Sequence, residues 1–292
     1  MLRKLIIVIL VIFAQILNAQ SYSIKDTAFN SNSDYKVISS INWSPDSKKL
    51  VFSATENGDD QFDIFVYNLP ESSIKNMTSS ENDELNPVWH PDGDKLIYDK
   101  VIDSTTNIFV YNPSSKTEKP LFNRDIRSRQ GSYSMDTMLV CFSGFDIIAD
   151  NWQIYTYDFI YDNLNQLTKS EFNSQNPVFS PNGKHIIYEE VDSSSKTILK
   201  MMNWYGKSEL SIDTLEGSNA FWDNDSWRFN YISKTLNDEE LISLRYNGQS
   251  PLQLISKQTN LKDFIISPDK LYYAMVLKGI YFDYLIIGSL NW

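Results

Sequence analysis

Cysteine and histidine are nearly absent from this chain. Its 292 residues contain one cysteine, Cys141, and two histidines, His90 and His185. A single cysteine excludes an intramolecular disulfide, a cysteine-rich zinc site and Cys-X-X-Cys redox chemistry. Two histidines exclude a multi-histidine metal centre, and nothing else in the ligand inventory calls for a cofactor. Positive charge is also scarce. Lys and Arg number 26 against 37 Asp and Glu, a formal net charge of −11, which lacks the basic footprint of a nucleic-acid binder. The G-x-S-x-G elbow of an α/β-hydrolase is missing. Beyond residue 19 no apolar run approaches the roughly 20 residues a membrane span needs. No segment there sustains a 3.6-residue apolar period, so almost no helix is expected. Aromatic residues, in contrast, are abundant: 7 Trp, 17 Tyr and 16 Phe. That supply points to a packed core rather than a disordered chain.

Residues 1–19 read MLRKLIIVILVIFAQILNA. Arg3 and Lys4 precede an unbroken apolar run from Leu5 to Ala14, and Ala19 offers a small residue for cleavage before Gln20. This is the layout of a secretory signal peptide. The apolar run is too short for a retained span. The expected products are a signal peptide over 1–19 and an exported chain over 20–292, periplasmic or secreted to the cell surface. That chain is stable without disulfides because of its size.

One unit then recurs along the chain. INWSPDSKKLVFS begins at Ile41, PVWHPDGDKLIYD at Pro87, PVFSPNGKHIIYE at Pro177 and FIISPDKLYYAM at Phe264. Their prolines, at 45, 91, 181 and 268, lie 46, 90 and 87 residues apart. A period of about 45 residues places two further, degenerate copies near 135 and 224. SYSMDTMLVCF from Ser132 and AFWDNDSWRFNYI from Ala220 fill those places. Physically the unit is a hairpin. Pro sets φ at the second turn position, Asp or Asn bonds the turn backbone, and Gly takes φ > 0. A third strand follows, as in Asp63–Tyr67, Asn107–Tyr111 and Gln153–Tyr157, and then a short fourth, as in Ile74–Thr78. Four strands per period describe a propeller blade. The reading is therefore all-β: a single six-bladed β-propeller of four-stranded antiparallel blades that occupies residues 20–292. The last copy has three strands of its own. Ser23–Thr27 matches the fourth strand of the first copy, so the N-terminal strand is expected to complete the last blade and close the ring.

The W-S-P-D-G-K-x-I-x-Y unit, followed by D-I-F-V-Y-N, resembles the TolB-type, WD-like propeller repeat of bacterial periplasmic proteins. The resemblance runs over about residues 22–290. It implies a six-bladed propeller whose partner is a cell-envelope protein or peptide. TolB resembles a two-domain protein with an α/β domain before its propeller, and no such domain is read here. Related repeats form the propellers of prolyl-oligopeptidase-type peptidases, which carry a separate hydrolase domain, and of oligogalacturonate lyases, whose histidine-rich manganese site two histidines cannot supply.

Candidate site residues are few. Arg124, Arg127 and Arg129 are expected in one loop, NRDIRSRQG, between the second and third blades. Guanidinium groups clamp carboxylates or phosphates, and three of them stand out in an acidic chain. Trp152 and Trp222 break the repeat and are read as exposed aromatic contacts. Trp43, Trp89 and Phe179 occupy equivalent positions and are read as inter-blade core. Glu84–Pro87 and Gln175–Pro177 are placed before the innermost strands, at one mouth of the channel. His90 and His185 are read as turn or surface residues. The acidic segments Glu56–Asp60 and Asp223–Asp225 lack the full spacing of a calcium loop, although carboxylates two residues apart would accept a hard cation. No catalytic residue is assigned. The first functional reading is a non-catalytic binding module. Its rival is a glycan-active or lectin-like propeller, which needs paired carboxylates in a deep mouth.

Overall fold

The computed structural model describes residues 23–30, 34–56, 58–207, 215–234, 239–258 and 260–291. The expected signal peptide lies outside them. In chain order, β1 (Ser23–Asn30) precedes the first complete blade, built from β2 (Tyr35–Trp43), β3 (Lys49–Glu56), β4 (Asp63–Asn68) and β5 (Ser73–Asn76). The second blade holds β6 (Glu84–Trp89), β7 (Leu96–Ile102), β8 (Thr105–Asn112) and β9 (Thr117–Pro120). The third holds β10 (Ser128–Tyr133), β11 (Leu139–Asp146), β12 (Asn151–Asp158) and β13 (Asn163–Gln166). The fourth holds β14 (Asn173–Phe179), β15 (His185–Val191), β16 (Thr197–Asn203) and β17 (Leu215–Glu216). The fifth holds β18 (Ser218–Trp222), β19 (Arg228–Lys234), β20 (Glu239–Arg245) and β21 (Leu252–Gln258). In the sixth, β22 (Leu261–Ile266), β23 (Tyr272–Lys278) and β24 (Asp283–Asn291) are joined by β1, which pairs antiparallel with β24 from Ser23↔Asn291 to Asn30↔Ile286. The chain is a six-bladed β-propeller closed by its N-terminal strand, and the described residues include no helix.

The turns explain why the blades form where they do. Ser44 Oγ donates to Asp46 Oδ1 at 2.6 Å, and Asp46 Oδ1 also accepts the Lys48 amide at 3.1 Å. Ser134–Asp136, Ser180–Asn182 and Ser267–Asp269 repeat the first of these bonds. The next residue takes the left-handed conformation in every blade: Ser47, Gly93, Thr137, Gly183, Ser226 and Lys270. Glycine thus fills only two of these six positions. In the others the side-chain bonds hold a conformation that costs an L-residue about 1 kcal/mol.

Hydrophobic packing is divided among the blade interfaces. Val51 and Ile64 of the first blade pack with Trp89, Leu96 and Tyr98 of the second. Ile97 and Ile108 pack with Val140 and Phe142. Cys141 and Ile154 pack with Phe179 and Ile186, and Ile187 and Leu199 with Trp222 and Phe229. Ile232 and Leu241 pack with Phe264 and Tyr273, and Ala274, Val276, Leu285 and Ile287 of the last blade with Leu50 and Phe52 of the first. The second strand of each blade is covered on both faces by neighbours. This is why β3, KLVFSATE, is buried almost end to end instead of alternating. The outer strands β5, β9 and β13 are polar and largely exposed. Trp43, Trp89 and Phe179 sit in these interfaces as expected, at 4%, 6% and 5% exposure.

Candidate functional site

The six innermost strands enclose a channel pocket of about 320 Å³. Each contributes one polar residue from equivalent positions: Ser40, Asn86, Gln130, Asn176, Asn219 and Asp263. Each inner strand breaks register beside this residue. At Asn86, Gln130, Asn176 and Asn219 φ is between 51° and 58°. A bulge there leaves a backbone N–H without a ladder partner and turns it toward the neighbouring blade. Glu84–Pro87 and Gln175–Pro177 accordingly lie within β6 and β14, not before them.

Side chains answer those freed amides around the ring. Asp99 on β7 accepts the Asn86 amide side chain at 2.8 Å and the Gln130 N–H of the next blade at 2.8 Å. Gln130 Oε1 accepts Ser143 Oγ at 2.8 Å and the Asn176 N–H at 3.1 Å. Glu189 on β15 accepts the Asn176 side chain at 2.8 Å and the Asn219 N–H at 2.9 Å. Asn219 Nδ2 donates to the Lys262 carbonyl at 2.9 Å. Asp263 accepts the Phe264 N–H at 2.8 Å and is also hydrogen-bonded by the backbone of Ile41 in the first blade. Burial pushes the Asp99 and Asp263 carboxyls up to about 7, against the opposing pull of these donors. Burial raises Glu189 in the same way. The channel lining is therefore made of amides, a hydroxyl and one carboxyl, and Asp99, Gln130, Glu189 and Asn219 all take part in the bonds that hold blade to blade.

The three arginines separate. Arg124 pairs with Asp162 at 2.6 Å, beside the Tyr157 hydroxyl, toward the far end of β12 from Trp152. Arg127 precedes β10, and Arg129 is the second residue of β10, so the expected single loop is corrected to a loop and an inner strand. These two converge on the third blade. The Arg127 guanidinium lies 3.5 Å from the Phe145 ring centroid, and that of Arg129 lies 4.0 Å from the Trp152 centroid. The two rings meet edge to face at 5.4 Å. Arg129 also donates to Gln175 Oε1 at 3.0 Å. Trp152 is half-buried and belongs to this cluster.

Trp222 requires a correction. It is 9% exposed, donates its indole N–H to the Val178 carbonyl at 3.2 Å and packs on Phe229. It precedes Asp223 just as Trp43 precedes Ser44, so it continues the repeat instead of breaking it. His185 stands on β15 with its ring 6.2 Å from that of Trp222. His90 replaces the turn serine of its blade and accepts the Asp92 N–H at 3.3 Å. Its Nδ1 lies 3.3 Å from Asp92 and 3.7 Å from Asp94, and this trio is the grouping of metal-ligand type among the described residues. Sequence reading missed it, although the H-P-D-G-D spacing was visible. Burial lowers the His90 pKa. Asp223 is turned inward to the Asn230 side chain at 2.7 Å, so Asp223–Asp225 is not an open carboxylate pair.

Comparison with known proteins agrees with this architecture. Residues 21–227 match the model of the TolB beta propeller domain. The Tol-Pal system protein TolB of Francisella tularensis subsp. holarctica (strain OSU18) is 23% identical over 197 residues, 66% of this chain and 45% of that protein. The chain thus spans less than half the length of the curated relatives it matches. TolB from Acinetobacter baumannii superimposes with a TM-score of 0.61 at 15% identity, covering 87% of this chain and 65% of that one. An oligogalacturonate lyase in complex with manganese gives 0.61 at 10% identity, covering 92% and 93%. At these identities the structural likenesses establish the fold alone. The matched model spans most of the propeller, and the chain belongs to the TolB beta propeller domain family.

Proposed function

We propose that this chain is an exported, non-catalytic module of the bacterial cell envelope that binds a protein or peptide at the channel mouth where the inner strands begin. The observation that carries this reading is the channel ring. Five of its six bulge residues end in an amide or hydroxyl, and the sixth, Asp263, is engaged by backbone N–H groups. Amides and hydroxyls in a concave site of this size suit recognition of backbone and polar side chains. The membership in the TolB propeller family supports an envelope partner. The glycan reading draws its support from the fold shared with a lyase, but Asp99 and Glu189 are each engaged by an Asn side chain of their own blade and a backbone N–H of the next.

The test is site-specific photocrosslinking in envelope extract. A photoreactive residue at Gln61 or Ile148, at the mouth, is expected to give one discrete adduct. The same residue at Tyr161, on a turn at the opposite end, is expected to give none. Equal labelling from both ends, or turnover of a glycan by the purified chain, overturns the reading.

A further inference from the structure

We propose that Arg127 and Arg129, braced on Phe145 and Trp152, form a subsite for a carboxylate carried by the bound peptide. This deepens the channel-mouth reading and rests on it. The two guanidinium groups have no ion pair among the described residues, whereas Arg124 has one. In a chain of net charge −11 two guanidinium groups on adjoining rings concentrate positive charge at one place, with the buried Asp99 near enough to Arg129 to interact with its charge. Centroid distances of 3.5 and 4.0 Å put each cation over an aromatic face. Stacking covers the flat faces and leaves the N–H edge of the exposed Arg127 available for bidentate bonds to a carboxylate, with Arg129 adding its charge beside it.

The position is built rather than accidental. Phe145 and Trp152 are direct cross-strand partners in β11 and β12, and the Phe145 N–H donates to the Arg127 carbonyl at 3.0 Å. Gln175 of the next blade fixes one Arg129 nitrogen, while Arg129 Nε is buried and has no hydrogen-bond partner among the described residues. A buried unpaired donor costs about 1–3 kcal/mol, so an incoming acceptor gains by meeting it. The next residue along β10 is Gln130 of the channel ring. Ile147 and Ile148, 86% and 94% exposed on the loop between Phe145 and Trp152, supply an apolar flank for the residue beside the carboxylate. Ser39, Leu85, Gln175 and Ser218 occupy the place of Arg129 in four other blades, and Lys262, its counterpart in the sixth, is paired with Asp283 at 2.9 Å.

The carboxylate would be a chain terminus or an acidic side chain, and three N-acetylated hexapeptides of otherwise identical neutral sequence separate these. One has a free C-terminal carboxylate, one is C-terminally amidated with a single Glu, and one is amidated with Gln in its place. Binding is followed by NMR of the arginine Nε–H and tryptophan indole N–H signals. Either acidic peptide is expected to bind at least about tenfold more tightly than the neutral one, as for hydrogen bonds to a charged group, and to shift Arg129 Nε–H and Trp152. The tighter of the two identifies the source. R127Q, at an exposed residue, and R129Q are each expected to remove the preference, and R124Q to keep it. Equal affinity for all three peptides, or an unchanged preference in both R127Q and R129Q, overturns the subsite. Continued crosslinking from the mouth in those variants would then leave the docking face standing without it.

Discussion

Removing residues 20–30 is expected to lower the melting temperature by more than about 10 °C and to make the chain prone to self-association. Strand β1 is the covalent link across the ring seam on the outer side of the last blade, where it pairs with β24 from Ser23↔Asn291 to Asn30↔Ile286. Without it, β24 becomes an edge with unpaired N–H and C=O groups, a template for other chains. Leu285 and Ile287 of β24 are fully buried in the core shared by the last and first blades, so loosening β24 loosens both. The loss of a whole strand is a large part of a total stability that is typically about 5–15 kcal/mol. A second variant strikes the same seam without shortening the chain. Gly288 lies opposite Thr27 and Tyr273, and a Cβ there would come within 2.4 Å of the Tyr273 ring. Gly288→Val should therefore destabilise by about 1–3 kcal/mol or more, as overpacking does. Thermal melts followed by circular dichroism decide both, and an unchanged midpoint in the truncated chain would refute closure as a source of stability.

The blades were legible because their turns obey local chemistry. Pro45, Pro181 and Pro268 mark hairpins whose Ser, Asp and Asn side chains accept turn backbone N–H groups, His90 does so beside Pro91, and such bonds need only neighbours in sequence. The fifth blade lacks the proline, but Asp223 keeps the closing backbone bond to Arg228 at 2.9 Å, so the degenerate copy still counts as a blade. The missing proline is also what made Trp222 look like a departure from the repeat. The channel ring was legible in part: Asn86 and Asn176 fall in the stretches placed at one mouth, but the bulges and the other four residues were not read. A bulge adds a residue and so displaces the alternation by one within strands only five to seven residues long, and residues as different as Asn86, Gln130, Asn176 and Asn219 take the same left-handed conformation. Asp99 and Glu189 follow the apolar runs of β7 and β15, and each bonds a backbone N–H in the following blade, 31 and 30 residues away, which no local pattern announces. The arginines were legible as charge, but their sorting was not. Asp162, which draws Arg124 away, is 38 residues distant, and the rings that collect Arg127 and Arg129 come from a hairpin formed later in the chain.

The same ring sets an expected dependence of stability on pH. Asp99 is buried and its carboxyl is pushed up to about 7, and Asp263 is pushed up to about 7 in the same way. Burial also raises Asp63, Glu84, Glu189 and Asp223. From the ordinary carboxylate range up to about 7, the folded chain keeps protons that the unfolded chain has released. Stability therefore falls as pH rises through that window. His90 acts in the opposite sense, because its lowered pKa makes the folded state lose stability as pH falls below about 6.5. Carboxyls with lowered values, such as Asp46 and Glu118, act only at more acidic pH. Asp99→Asn isolates one contribution. The amide is neutral at every pH, its oxygen still accepts the Gln130 N–H, and Asn86 needs only an amide flip to present its own oxygen. Urea unfolding at about pH 5 and pH 8 should show the wild-type chain less stable at the higher pH. The Asn variant should recover about 2–3 kcal/mol of that difference, since a tenfold change in a proton-binding constant is worth about 1.4 kcal/mol. At the lower pH, where Asp99 is protonated, the two chains should differ little. An identical pH dependence in the two would mean that Asp99 is ionised throughout, and that the ring holds a full negative charge between the second and third blades.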